Sequence, residues 1–313
     1  MISSQPEWQV NVGPTLYEVG KAIGNLKRGR AAGPDRLTPD IFKDGGSVLA
    51  VRLTEVLDRI WELDVIPSDW SQSLIVPVYK KGQKYSCDDH RGISLTNIVS
   101  KMLASIILRR LNEAREEQIR ENQAGFRPGR GCIDQIFTLR QVLEHRHRFR
   151  RPTMVVFLDL KAAFDSNDRK VVWQCLSLKG VPKKYINPIQ TLYSNTTGLV
   201  KAYGELSSEL ITSSGVRQGC PLSPFLFNFV VDVLLEMTLF LSKFPGVELL
   251  PGGSLVDLEY ADDIVLFEDA DKMQSSDHSK QQCRHVRDAI LPLEMQNIAS
   301  ELGCIDTRTN DKE

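Results

Sequence analysis

The sequence predicts an α+β protein built in two lobes, and three observations predict it. Its 313 residues suit about two lobes by the usual domain size. The predicted elements run as helices first, then a strand among helices, then a long helix, then a cluster of short strands. The charge is also divided along the chain, beneath a net charge of −1. Trp70 to Arg151 carries 16 Lys/Arg against 8 Asp/Glu, whereas Glu248 to Glu313 carries 15 acids against 6 bases. A basic segment followed by an acidic one fits a phosphate-contacting lobe beside a metal-binding one. Solvated charge on surface helices fits it as well.

The hydrophobic share of 42% and the charged share of 25% are those of an ordinary globular chain with a sizeable core. Six cysteines, at 87, 132, 175, 220, 283 and 304, contain no C-x-x-C pair. That argues against a disulfide framework or a zinc module and for free thiols in a reducing compartment. Cys283, His285 and Cys304 lack a fourth ligand at zinc spacing. The longest apolar run, Pro224 to Leu241, is broken by Asn228, Asp232 and Glu236 and reads as an amphipathic helix, not a membrane span. No charged-then-apolar leader opens the chain. The expectation is a soluble protein, neither secreted nor membrane-bound.

Taken in order, residues 14–28 read as a short helix entering a basic, Gly-rich turn. Leu49, Leu53, Val56, Leu57, Ile60 and Trp61 recur at helical spacing and predict a helix over 47–63. The β-branched run Ser73 to Tyr79 predicts a strand with Lys80, Lys81 and Gly82 as its exit. Helices are predicted over 95–120 and 132–148, separated by the Gly/Pro/Arg loop Gln123 to Gly131. Met154 to Leu160 is a buried strand. Helices follow near 167–179 and 183–195. Val200–Tyr203 and Glu209–Thr212 suggest a hairpin around Gly204, and Pro221 opens a helix to about Leu241. Val247–Leu250, Leu255–Tyr260 and Ile264–Glu268 close the pattern as three strands.

Chemistry is concentrated in four places. Tyr260-Ala-Asp262-Asp263 puts two adjacent carboxylates in a turn between two apolar strands. A tight turn brings both to one site as hard oxygen ligands, the donor set that Mg²⁺ takes, although Asp-Asp turns are also common on surfaces. Asp159 lies inside an apolar strand, where a buried carboxylate needs compensation, and a metal supplies it. Asp165 reads instead as a cap of the next helix, near Asn167 and Asp168. Three converging carboxylates, Asp159, Asp262 and Asp263, repel unless divalent cations sit between them. In Gln218-Gly219-Cys-Pro221, Gly219 permits close backbone approach to a ligand, and a glycine loop opening a helix reads the same way. Lys80, Lys81 and Arg91, and then Phe126-Arg127-Pro-Gly-Arg130, form two basic loops suited to triphosphate and template backbone.

In this order and spacing these segments resemble the reverse transcriptase of non-LTR (LINE-like) retrotransposons. The resemblance runs from about Gly33 to Glu268. It is carried by Gly33-Pro34-Asp35, Ile75 to Gly82, His90-Arg91-Gly-Ile-Ser94, Asn122 to Arg130, the Asp159 segment, Gln218-Gly219 and Tyr260-Ala-Asp-Asp263. It implies a right-hand polymerase fold with fingers and palm, the palm an antiparallel sheet backed by helices, and with the thumb largely absent. The implied division is an N-terminal helical extension (1–70), fingers (71–152), a palm (153–270, with 171–204 a helical insertion toward the fingers) and a degenerate or truncated C-terminal segment (271–313). Leu302-Gly303 and the residues after it depart from the family's pattern.

The resemblance also implies roles. Asp159, Asp262 and Asp263 would be catalytic and hold two Mg²⁺ ions, with Mn²⁺ as the alternative. Lys80 or Lys81 with Arg91 would face the triphosphate. Gln218, Gly219 and Tyr260 would line the nucleotide pocket. Gln123, Phe126, Arg127 and Arg130 would contact template. Phe164 would stand at the sugar 2′ position and exclude ribose. The implied partners are an RNA template, a DNA or RNA primer and dNTPs, with no membrane. The expected site of action is intracellular, in nucleus and/or cytoplasm. The competing readings are a catalytically inactive, nucleic-acid-binding remnant and a template-independent nucleotidyltransferase.

Overall fold

The computed structural model describes residues 8, 10–115, 120–127, 129–160, 164–242, 246–250, 253–269 and 303–306. In chain order the elements are α1 (Leu16–Asn25), α2 (Pro39–Asp44), α3 (Gly46–Leu63), β1 (Gln72–Tyr79), β2 (His90–Leu95), α4 (Ile98–Arg115), α5 (Cys132–Arg148), β3 (Thr153–Asp159), α6 (Arg169–Leu178) and α7 (Lys183–Tyr193). They continue as β4 (Thr197–Ala202), β5 (Glu205–Leu206), β6 (Leu210–Ile211), α8 (Ser223–Ser242), β7 (Val247–Leu250), β8 (Gly253–Leu255), β9 (Asp257–Tyr260), β10 (Asp263–Asp269) and β11 (Gly303–Asp306). The mixture of helices and sheets is that of an α+β protein. The chain divides into two compact units, one of residues 1–118 with 172–226 and one of 119–171 with 227–313. Among the described residues no helix is long and apolar enough to cross a membrane.

The first unit is a helical layer with a mixed sheet. Thr15 caps α1 in a capping box: Glu18 N–H donates to Thr15 Oγ1 (3.3 Å) and Thr15 N–H to Glu18 Oε2 (2.9 Å). The helix α3 buries Leu53, Leu57, Ile60 and Trp61, one stripe at helical spacing, and stops at Asp64 in the left-handed region. In the sheet, β1 lies antiparallel to β2, from Leu74 opposite Leu95 to Tyr79 opposite His90. It lies parallel to β4, from Gln72 opposite Thr197 to Ile75 opposite Val200. Pro77 falls beyond that parallel stretch, where β1 is paired on one side only.

The expected hairpin around Gly204 is there with a different partner. β4 turns into β5 through Tyr203 and Gly204, both left-handed as a two-residue hairpin turn demands. The Glu209–Thr212 region instead supplies β6, which pairs with the far end of β4 at Thr197 and Gly198. Besides β5, three elements escaped the sequence reading. They are the six-residue α2, too short to show periodicity, the Gly-bearing β2, and β11.

A buried latch ties α1 to α4. Arg110 donates from Nε and Nη2 to the two carboxylate oxygens of Glu18 (2.8 and 2.6 Å), and to the carbonyls of Val12 (2.7 Å) and Gly13 (2.8 Å). Burial alone would raise the pKa of Glu18. The Arg110 hydrogen bond, the Thr15 backbone bond and the Arg110 charge outweigh it and hold Glu18 at about 2. A depressed carboxylate contributes stability that is present above its unfolded value near 4.5 and is lost as pH falls toward 2. Denaturant melts of the protein and Glu18→Gln should therefore differ by about 3 kcal/mol more at pH 7 than at pH 2. A gap independent of pH would show that the latch holds by packing alone.

The second unit holds a four-stranded antiparallel sheet in the order β11-β3-β10-β9. Each face is covered. Val156, Ile264 and Leu266 pack with Phe227, Val231 and Leu235 of α8, while Val155, Leu258 and Phe267 pack with Val142 of α5 and Val247 of β7. Packing on both faces is why Met154 to Val156 is continuously apolar instead of alternating, whereas Phe157 is exposed. α8 is buried along most of its length, Asn228 and Asp232 included, and is exposed at Glu236 and Met237. It begins at Ser223, two residues after the Pro221 that the sequence proposed as its start.

Two further expectations are corrected here, at β8–β9 and at the start of α6, and one strand is added. Leu255–Tyr260 is two strands, β8 and β9, interrupted at Val256. The residue capping α6 is Asp168, which accepts from Lys170 N–H at 2.7 Å, and not Asp165. Within the C-terminal stretch expected to be degenerate, Gly303–Asp306 forms β11, antiparallel to β3 from Gly303 opposite Phe157 to Asp306 opposite Met154. It fills what would otherwise be an open sheet edge. Cys283 and His285 lie outside the described residues.

Candidate active site

The second unit builds its site from one hairpin. Tyr260 pairs with Asp263, so Ala261 and Asp262 are the two-residue turn between β9 and β10. The same Asp263 stands opposite Asp159 across the β10–β3 ladder. Backbone register thus brings Asp159, Asp262 and Asp263 to one end of the sheet. Asp263 is exposed, Asp262 half-buried, and the side chain of Asp159 lies outside the described set. Like charges at directly opposed positions destabilise a sheet, and the donors are hard oxygens of the kind that Mg²⁺ binds. The aspartate register therefore fits a divalent cation. Among the described residues, no group of three or more His, Cys, Asp or Glu side chains forms a ready-made metal cage.

The turn is strained and braced. Ala261 sits at φ 60°, a conformation costing an L-residue roughly 1–2 kcal/mol. Its N–H donates to Gln123 Oε1 at 3.3 Å. The backbone of Asn122 to Ala124 runs along the free edge of β9, with Glu259 N–H donating to Asn122 O (3.0 Å) and Ala124 N–H to Glu259 O (2.9 Å). Gln123 is fully buried and Arg127 is buried, the latter donating to the carbonyls of Arg120 (3.0 Å) and Gln123 (2.9 Å). Expected as template contacts, both spend their polar groups inside the protein. Phe126 of the same loop is exposed, and Arg130 is half-buried and paired with Glu121.

Phe164 is half-buried and stacked on Phe227, with ring centroids 5.1 Å apart and planes inclined by 18°. Phe126 meets Phe164 edge-on at 6.5 Å. Phe227 is fully buried in α8 and so forms a fixed wall behind Phe164. Tyr260 is half-buried at the end of β9.

Beneath the turn lies a network that motif reading missed. Arg120 binds three acids: Asp232 of α8 (3.0 Å) and Asp257 (3.3 Å) and Glu259 of β9. All three carboxylates are buried. Burial pushes the Glu259 carboxyl well above the usual range, and the Arg120 charge recovers only part of that shift. One guanidinium cannot neutralise three buried carboxylates. In sequence the only trace is the alternation of Asp257 and Glu259.

Lys80, Lys81, Arg91, Gln218 and Gly219 belong to the first unit. Lys80 and Lys81 are exposed in the β1–β2 connection, which Gly82 turns at φ 93°, and Arg91 is exposed on β2. The Gln218 carbonyl accepts from Ser94 N–H at 2.6 Å, laying this loop against β2. Gly219 sits at φ 120°, where an added Cβ would come within 2.5 Å of Ser94 O, so no other residue fits. Arg217, also missed in the sequence, anchors the loop by donating to Trp70 O (3.1 Å), Ser71 O (2.7 Å) and Leu192 O (3.0 Å).

Residues 78–296 match the family model described as reverse transcriptase (RNA-dependent DNA polymerase). The chain belongs to that family, in the branch carried by non-LTR retrotransposons. It is 30% identical over 236 residues to the retrovirus-related Pol polyprotein from type-2 retrotransposable element R2DM of Drosophila melanogaster, covering 75% of this chain and 21% of that protein. It is 27% identical to the transposon TX1 uncharacterized 149 kDa protein of Xenopus laevis, covering 85% of this chain and 20% of that protein. A third relative is the probable RNA-directed DNA polymerase from transposon BS of Drosophila melanogaster, 25% identical over 70% of this chain and 24% of its own length. The chain thus spans between a fifth and a quarter of these three relatives.

Proposed function

We propose that this chain is the fingers and palm of a retrotransposon RNA-directed DNA polymerase that extends a primer 3′-hydroxyl with dNTPs on an RNA template. The observation that carries the reading is the register of Asp263 opposite Asp159, with Asp262 in the adjoining turn. Reverse transcriptases use divalent metal ions, and here Asp159, Asp262 and Asp263 would hold two Mg²⁺. Bound there, the ions would lower the pKa of the attacking hydroxyl and stabilise charge on the leaving pyrophosphate. In the transfer, the primer oxygen bonds to the α-phosphorus as the bond to pyrophosphate breaks. Lys80 or Lys81 with Arg91 would bind the triphosphate, Gln218 and Gly219 would contact substrate from their own loop, and Tyr260 would do so from the hairpin that carries Asp262 and Asp263. Phe126, exposed, would contact template, and Arg130, half-buried and paired with Glu121, would do so by exchanging that partner for a phosphate. The setting is intracellular, where RNA template, DNA or RNA primer and dNTPs coexist.

Phe164 supplies the sugar selectivity. Backed by Phe227, its ring cannot retreat from a ribose 2′-hydroxyl.

The test is primer extension by the purified protein on an RNA template with dNTPs and Mg²⁺, with and without template. Template-dependent extension supports the reading, and equal extension without template points to a template-independent transferase. In the same assay Phe164→Val should accept ribonucleotides at least about tenfold better relative to dNTPs, the size expected for opening an apolar contact of a few methylenes. Unchanged discrimination would remove Phe164 from this role.

A further inference from the structure

We infer that Gln123 is a positioning residue for the catalytic turn, acting through the backbone of Ala261 in place of a template contact. The observations are its burial and the way its amide is spent. Gln123 is 0% exposed, so it has no surface to offer a nucleic acid. Its Oε1 accepts from Gly125 N–H (2.7 Å) and from Ala261 N–H (3.3 Å), while its Nε2 donates to Glu259 Oε2 (2.9 Å). One side chain therefore ties three places together: its own loop, strand β9 and the turn that carries Asp262 and begins β10 at Asp263.

The surroundings leave the turn little freedom. Gly125 lies so close that a Cβ on it would come 2.1 Å from Ala261 N. Asn228 of α8 donates from Nδ2 to Gly125 O at 2.5 Å and presses the loop from its other side. Glu259, the acceptor for Gln123, is itself fixed by Arg120. The chain of contacts runs from Arg120 through Glu259 and Gln123 to Ala261, the left-handed residue next to the two acids. A strained residue persists only where its neighbours over-determine it, and Gln123 is the side chain that reaches its N–H. Removing that acceptor lets Ala261 relax and turns Asp262 and Asp263 away from their shared geometry. An error of about 1 Å at reacting groups costs up to roughly a hundredfold in rate.

The consequence for catalysis rests on the polymerase reading, whereas the contacts themselves do not. Two measurements on the whole chain keep the two apart. The first is amide hydrogen exchange in the unaltered protein and in Gln123→Met, which removes the acceptor at similar volume, and in Gln123→Glu, which keeps an acceptor. The Ala261 and Gly125 amides should be protected in the unaltered protein and exchange at least about tenfold faster in Gln123→Met. Ala261 exchanging like an open turn in the unaltered protein overturns the inference, and needs no variant to fold.

The second measurement is primer extension with template–primer affinity. Gln123→Met should lower kcat by about tenfold to a hundredfold while the template–primer Kd stays within about twofold. Gln123→Glu should retain more of kcat than Gln123→Met. A weakened Kd with kcat intact restores the template-contact role and overturns this one. Should the unaltered chain fail to extend a primer, the polymerase reading of this chain fails, and the exchange data still decide whether Gln123 holds the turn.

Discussion

Asp263→Asn will lower primer extension by about a thousandfold, the equivalent of about 4 kcal/mol of transition-state stabilisation, without destabilising the fold. The two halves of that expectation come from the same feature. Asp263 and Asp159 occupy directly opposed positions on β10 and β3. Two like charges so placed cost a sheet roughly 0.2–1 kcal/mol. Neutralising one relieves that repulsion, while on the polymerase reading it takes away a metal ligand. Asp159→Asn should behave alike. The measurements are single-turnover extension with Mg²⁺ and denaturant melts of both variants in metal-free buffer. Residues retained for packing show the reverse pattern, a loss of stability with chemistry intact, and that outcome would make the aspartates structural.

Parts of this arrangement were legible in sequence because they depend on local constraints. The acids of Tyr260 to Asp263 had to lie at a turn, since two short apolar runs flank them, and the register confirms a two-residue turn there. The helix over Cys132–Arg148 has the predicted ends, although Ile133, Ile136 and Phe137 on it are exposed. What stayed hidden depends on contacts distant in sequence. Arg120 meets its acids 112, 137 and 139 positions away. Nothing local distinguishes Asp257 and Glu259 from surface charges. Gln123 and Arg127 looked like outward contacts because polar side chains in a Gly-rich loop usually face water. The edge of β9 needed covering, and the loop that covers it turned both inward. β2 was missed because His90-Arg-Gly-Ile-Ser-Leu95 alternates poorly, and its pairing with β1 supplies what its own composition lacks.

Arg120 carries the largest expected effect on stability. Arg120→Met removes the cation shared by Asp232, Asp257 and Glu259, which are exposed by only 3%, 1% and 0%. Breaking a buried ion pair from one side costs roughly 3–5 kcal/mol, because the remaining charge has neither water nor partner. Here three buried carboxyls lose their shared cation and keep neutral donors, Asn122 Nδ2 on Asp257 (3.0 Å) and Gln123 Nε2 on Glu259 (2.9 Å), and Asp257 already has one carboxylate oxygen without a hydrogen-bond partner. The sign of the pH dependence follows from Glu259. Its folded-state pKa lies well above the ordinary value of 4.5, so its contribution is fully present below that value and is lost as pH rises through the raised one. Arg120→Met should raise it further, so the variant's deficit in denaturant melts should be smaller at pH 5 than at pH 8. Glu259→Gln, which stays neutral throughout, should flatten the loss of stability with rising pH and recover part of the Arg120→Met deficit in the double variant. An Arg120→Met deficit equal at both pH values would mean that the guanidinium holds this region by packing and hydrogen bonding, with the three acids already neutral.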